Sequence, residues 1–143
     1  MKPGFACASL LPPTPIWRHV LLTAEMPDTD GIVRIRLTGD PAHTDYAALF
    51  REVEICVRPP GARSAFIHAL DLRVLPSESL AMETWEDASF IFPGNFPIAY
   101  LPPPGYGTER AALMKRITDR HELRVEVFTD EAEAVAWCRG FAG

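Results

Sequence analysis

Two serines flank a glutamate in Pro76-Ser77-Glu78-Ser79, a short way behind an apolar run, Ala65 to Leu72, that contains Asp71. A serine at the start of a helix accepts a hydrogen bond from a backbone N–H and caps it. The same place welcomes a phosphate, because the first turn carries unpaired N–H groups and the positive end of the helix dipole. Ser77 and Ser79 are therefore candidates for a charge switch, with capping the simpler role for Ser77. Asp71, at the C-terminal end of a strand-like run, stands where α/β proteins place active residues. Hydrogen bonding to the backbone of the following loop is its simpler role.

Other chemistry finds little to work with. His19, His43, His68 and His121 never fall four apart or beside a cysteine, so metal-ligand spacing is absent. His68 lies inside the apolar run and reads as a hydrogen-bonded core histidine. Cys7, Cys56 and Cys138 form no CxxC or CxxH pair, and an odd, scattered set suits a reducing compartment. Neither Cys56 nor Cys138 has a basic neighbour arrangement that suggests a lowered thiol pKa. Gly105-Tyr106-Gly107, with Arg110 near, lacks the Lys-Ser/Thr signature of a phosphate loop and reads as a turn. No catalytic residue, metal or cofactor is expected.

Composition bounds the rest. The 143 residues are enough for one domain with a real core, 48% hydrophobic and 23% charged. A net charge of -5 offers no electrostatic reason to bind nucleic acid, whose affinity rests on phosphate neutralisation by Lys and Arg. No apolar run reaches the ~18 residues of a membrane span. The apolar start, Met1 to Leu11, is short for a signal peptide and runs into prolines, so a cytoplasmic chain is expected. Fourteen prolines cluster at Pro12-Pro13-Thr14-Pro15, Pro59-Pro60 and Pro102-Pro103-Pro104, marking boundaries between elements. Residues 1–15 are expected to form a flexible proline-rich tail, and residues 16–143 the domain.

The elements that position the serines follow from periodicity. Trp17 to Ala24 predicts a first strand. Val33, Ile35 and Leu37 alternate with Arg34 and Arg36, which predicts a half-buried second strand paired antiparallel across a short turn. Asp40 and Pro41 open a helix whose Tyr46, Leu49, Phe50, Val53 and Val57 keep helical spacing. Ala65 to Leu72 is apolar on both faces, as in a strand at the centre of a covered sheet. A helix then starts at Ser77 and ends near Phe92. Pro97 to Leu101 predicts a strand, Thr108 to Arg120 a helix, and Leu123 to Phe128 a strand near an edge. Asp130 and Glu133 form a capping box before a last helix carrying Ala134, Trp137 and Cys138. The order is β-β-α-β-α-β-α-β-α, a single α/β domain with a mixed, mostly parallel five-stranded sheet and about four helices.

Several of these segments together resemble the STAS superfamily, in its SpoIIAA-like branch. They are Ile32 to Gly39, Asp45-Tyr46, Ala69-Leu70-Asp71-Leu72, Ile98-Ala99-Tyr100 and Val125 to Trp137. The resemblance implies a non-enzymatic binding or regulatory module. In the antagonist branch a serine in an Asp-Ser-Ser-Gly loop after the central strand is phosphorylated, and that charge decides whether a partner protein binds. Here the loop is Val74 to Leu80; it keeps Ser77 and Ser79 but lacks that string, and Glu78 already supplies negative charge. Trp85, Phe90, Phe92, Phe96, Tyr100 and Tyr106 provide the alternative. They fill the core, or they form a surface or enclosure for an apolar small molecule, a lipid or a membrane. A hydrolase or transferase using Asp71 is the third reading.

Overall fold

The computed structural model describes residues 21–39, 46–73 and 75–142. The expected tail over residues 1–15, the start of the first strand at residues 17–20 and the helix opening at Asp40 and Pro41 lie outside the described residues.

Asp28 builds the first turn. Its Oδ1 accepts from the backbone N–H of Asp30 at 2.8 Å and of Ile32 at 3.0 Å. Partial burial pushes this carboxyl up, but those two N–H groups and Arg34 outweigh it and hold the pKa below the usual value. The turn joins β1 (Leu21–Ala24) to β2 (Ile32–Gly39) as an antiparallel hairpin. There follow α1 (Tyr46–Val57), β3 (Ser64–Leu72), α2 (Glu78–Ile91), β4 (Pro97–Leu101), α3 (Thr108–Arg120), β5 (Arg124–Val127) and α4 (Glu131–Arg139). This is the order expected from sequence, with a fifth strand slightly shorter than Leu123 to Phe128.

The sheet runs β1-β2-β3-β4-β5, and β2 through β5 are parallel. Each crossover therefore advances one strand in the same direction. Right-handed crossovers that all advance the same way put their helices on one face. That face holds the larger core, where Phe50, Val53 and Val57 of α1, Trp85 and Ala88 of α2, and Met114 and Ile117 of α3 pack on the strands. After β5 the chain crosses to the other face. There α4 lays Ala134, Val135 and Cys138 on Phe66, Ala99 and Leu101. Asp130 caps α4, its Oδ2 accepting from Glu133 N at 3.1 Å. Cys138 reaches the start of β3, its Sγ donating to the Ala65 carbonyl at 3.5 Å. β3 is thus central in the sheet and buried on both faces from Ser64 to Ala69.

Gly31 joins the hairpin to that centre. Its carbonyl accepts from Arg63 N at 2.8 Å and Ser64 N at 3.2 Å, starting the pairing of β2 with β3. Its φ of +78° is left-handed, and an added Cβ would lie 2.4 Å from Arg63 Cγ and 2.8 Å from the Gly61 carbonyl. Both strain and collision oppose a side chain here. Replacing Gly31 with Ala is expected to lower unfolding free energy by roughly 1–3 kcal/mol, read as a lower urea midpoint at unchanged slope.

Candidate functional site

The site begins with an irregularity in the sheet. Arg36 of β2 pairs with His68 of β3, but Thr38 pairs with Asp71, so Leu37 faces two residues, Ala69 and Leu70. Such a bulge shifts the alternation by one. Ala65, Ile67 and Ala69 point into the larger core before it, and Leu72 does so after it. Leu70 is left 45% exposed. Asp71 turns toward β2 and accepts from Arg36 Nη2 at 2.6 Å. This partner is a side chain on the neighbouring strand, which the sequence does not indicate. Both groups are exposed, so the pair is worth no more than ~1 kcal/mol.

Beyond the bulge the chain reaches α2. Ser77 is its N-cap in extended conformation (φ -60°, ψ 159°), with Oγ accepting from Leu80 N at 3.2 Å. Glu78 sits in the first turn. Ser77 and Ser79 are both exposed. The loop before them is tied from behind, because Arg110 of α3 donates through Nη2 to the Pro76 carbonyl. Tyr106 in turn donates its hydroxyl to the Arg110 carbonyl at 3.3 Å. Burial pushes the Tyr106 phenol up to about 12, with Arg110 pulling the other way. Gly105-Tyr106-Gly107 is thus a turn that aims Tyr106 and Arg110 at the Ser77 loop, with Gly105 at φ +87°.

The six aromatic candidates divide. Trp85, Phe92, Phe96 and Tyr100 are buried and Tyr106 is half-buried. Trp85 and Tyr100 meet edge to face at 5.2 Å, Tyr100 and Tyr106 at 5.8 Å, and Phe92 lies 5.8 Å from Phe96. These five are core. Phe90 stands apart at 78% exposed. The apolar hollow beside Trp85 and Tyr100, lined also by Leu22, Phe50 and Pro76, holds about 50 Å³. That is about a third of the ~150 Å³ that admits benzene in an engineered apolar cavity.

His68 departs from its expected role. It is only 8% exposed, yet among the described residues Nδ1 has no hydrogen-bond partner, and Nε2 lies 3.8 Å from Glu131 Oε1. The sequence shows its burial; the lack of a bond depends on how α4 docks. A hollow of about 200 Å³ beside it is lined by Thr23, Glu25, Arg34, Arg36 and Glu131, and Asp71 is not among its walls. Arg36, which holds Asp71, lines this hollow. Burial raises the pKa of both Cys56 and Cys138, the reverse of an activated thiol. Among the described residues no three metal-ligating side chains converge, and no helix is long and apolar enough to cross a membrane.

Comparison with known proteins bears on the fold. No protein-family model matches the sequence, and a search of curated proteins finds no match. Among solved structures the chain is similar to an anti-sigma factor antagonist from Mycobacterium paratuberculosis. The two are 14% identical, with a TM-score of 0.54, and the match covers 84% of this chain and 94% of that one. The chain shares the fold of that antagonist; its described residues form one α/β domain with a five-stranded mixed sheet and four helices.

Two consequences of the geometry can be measured. Ser77→Ala removes the cap and is expected to lower stability by ~1 kcal/mol, whereas Ser77→Asp, another good cap, leaves it within a few tenths. Urea unfolding of the two variants reads the difference. Tyr106 ionises near pH 10 when unfolded and near 12 when folded. The native state therefore keeps its proton longer, and the stability this supplies is constant below pH 10 and lost as pH rises through 12. Tyr106→Phe is expected to flatten that decline when unfolding midpoints are compared at about pH 9 and about pH 11.

Proposed function

We propose that this chain is a non-enzymatic regulatory module that binds a protein partner through the exposed start of α2. Ser77 or Ser79 is where a phosphate would change that binding. The observation that carries the reading is the presentation of Ser77: an exposed helix cap at the end of the central strand, braced from behind by Arg110 on Pro76. A surface held this way loses little conformational freedom when a partner docks. The antagonist with the same fold is named for opposing an anti-sigma factor, which agrees with a partner protein as the target.

A phosphate here would act through charge. It adds about -1.5 to -2 at neutral pH. The first turn of α2 would stabilise it through unpaired N–H groups and the helix dipole. Glu78 beside it would repel it. α2 also carries Glu83, Glu86 and Asp87 and no basic residue, so modification deepens a face that is already acidic. A partner that reads this face then gains or loses affinity by electrostatics, without any change of fold. The readings as an apolar-ligand carrier or as an enzyme using Asp71 have no comparable support. The aromatics are largely core, and Asp71 is occupied by Arg36.

The test has two arms. Intact-mass and peptide mass spectrometry of protein purified from its native cell is expected to find phosphate on Ser77 or Ser79 in at least one growth condition. Finding both serines unmodified in every condition overturns the switch. Co-purification with tagged Ser77→Asp is expected to change partner yield about tenfold, while Ser77→Ala behaves as wild type. Identical partner recovery by all three chains overturns the start of α2 as the contact.

A further inference from the structure

A separate feature lies on the face of the sheet opposite α2. There Thr23 of β1 stands beside Arg36 of β2, which stands beside His68 of β3. One pleat along, Glu25 donates its N–H to the Arg34 carbonyl, and Arg34 pairs with Phe66. Side chains two apart on a strand share a face. These six therefore form two rows on one side of the sheet. With Glu131 from the first turn of α4 they line the hollow of about 200 Å³ beside His68. That is the room of roughly six or seven waters, or of one small organic molecule.

Two observations point to a ligand. His68 is only 8% exposed, yet its ring makes no hydrogen bond to any described residue. Its Nε2 stops 3.8 Å short of Glu131 Oε1. A buried polar ring left in this state carries a desolvation cost that a bound group would offset. The charges are the second observation. Arg34 pairs with Asp28 at 3.4 Å and Arg36 with Asp71 at 2.6 Å, and neither aspartate lines the hollow. Glu25 and Glu131 do line it, and among the described residues no ion pair joins either to an arginine. The arginines, on β2, lie between Glu25 on the β1 side and Glu131 on the β3 side. Two positive and two negative charges thus face one open space and cancel.

We infer that this hollow binds a small zwitterion of the α-amino-acid class. Its carboxylate would lie on Arg34 and Arg36, and its ammonium between His68 Nε2 and Glu131. Two atoms 3.8 Å apart can both lie about 2.9 Å from one nitrogen, so a single ammonium reaches both. The guanidinium edges not held by Asp28 and Asp71 offer charge-assisted donors to a carboxylate. A lone anion would gain the arginines but meet two glutamates, and a lone cation would meet the reverse. A molecule carrying both charges satisfies both walls. The inference is independent of the partner-binding reading, since the hollow and the serines lie on opposite faces of the sheet.

Titration of the full chain with each common L-α-amino acid, singly to about 10 mM and followed by amide NMR, tests it. At least one is expected to saturate with a Kd of about 1 mM or below. It should move the amide signals of Thr23, Arg34, Arg36, His68 and Glu131 and leave those of residues 78–91 in place. The amine and the acid that each keep one of its two charges should bind about tenfold or more weakly. Arg36→Gln and Glu131→Gln should each weaken binding about tenfold, with melts like wild type because both side chains are exposed. No saturable binding by any amino acid overturns the inference, as does binding that both substitutions leave unchanged. Equal binding of the single-charge analogues, or of inorganic phosphate, overturns the zwitterion in favour of a simple ion.

Discussion

Burial of β3 on both faces is the constraint on which the rest of the fold depends. A strand whose side chains from Ser64 to Ala69 are all out of water must have strands on both sides and cover above and below. β2 and β4 supply the neighbours in parallel. α1, α2 and α3 cover one face because three right-handed crossovers step the same way, and α4 covers the other. This asymmetry matters for function. Among the described residues, α4 is the helix that sits over β3 and β4, and in the neighbouring strip Thr23 and Arg36 are exposed.

The bulge near the end of β3 couples that core to the exposed loop. Without the extra residue, Asp71 would point into the larger core and Leu70 away from it in strict alternation. With it, Asp71 faces Arg36, and Leu72 returns to the core. The chain therefore leaves the sheet anchored, passes the Pro76 carbonyl held by Arg110, and enters α2 at a capped serine. The presentation of Ser77 is a product of packing on either side of it rather than of the serine itself.

Much of this was legible in the residues. The apolar run Ala65 to Leu72 marked a strand covered on both faces. Pro97 to Leu101 is equally apolar and equally covered, so which of the two lies at the centre follows from strand order and not from composition. Ser77 and Asp130 were readable as caps because a capping oxygen acts within three residues of chain. Arg36 with Asp71 was not readable: the pair is 35 residues apart and depends on parallel register and on a bulge, neither of which leaves a local signal. The partners of His68 are unreadable for the same reason, being decided by the docking of α4. Phe90 carried a signal that went unused. At 100° per residue it lies about 140° around α2 from Trp85, whereas Ala88 and Phe92 fall within about 60° of Trp85. Treating six aromatics as one set hid the one that faces water.

The central claim is that the start of α2 is the working surface of a binding module. Hydrogen exchange followed by mass spectrometry, comparing the free chain with the chain bound to the partner recovered from its native cell, tests it most directly. The account predicts slowed exchange over residues 75–83, with α4 unchanged. Slowed exchange confined to α4 or to the open strip of β1 and β2, with residues 75–83 exchanging as in the free chain, would contradict it.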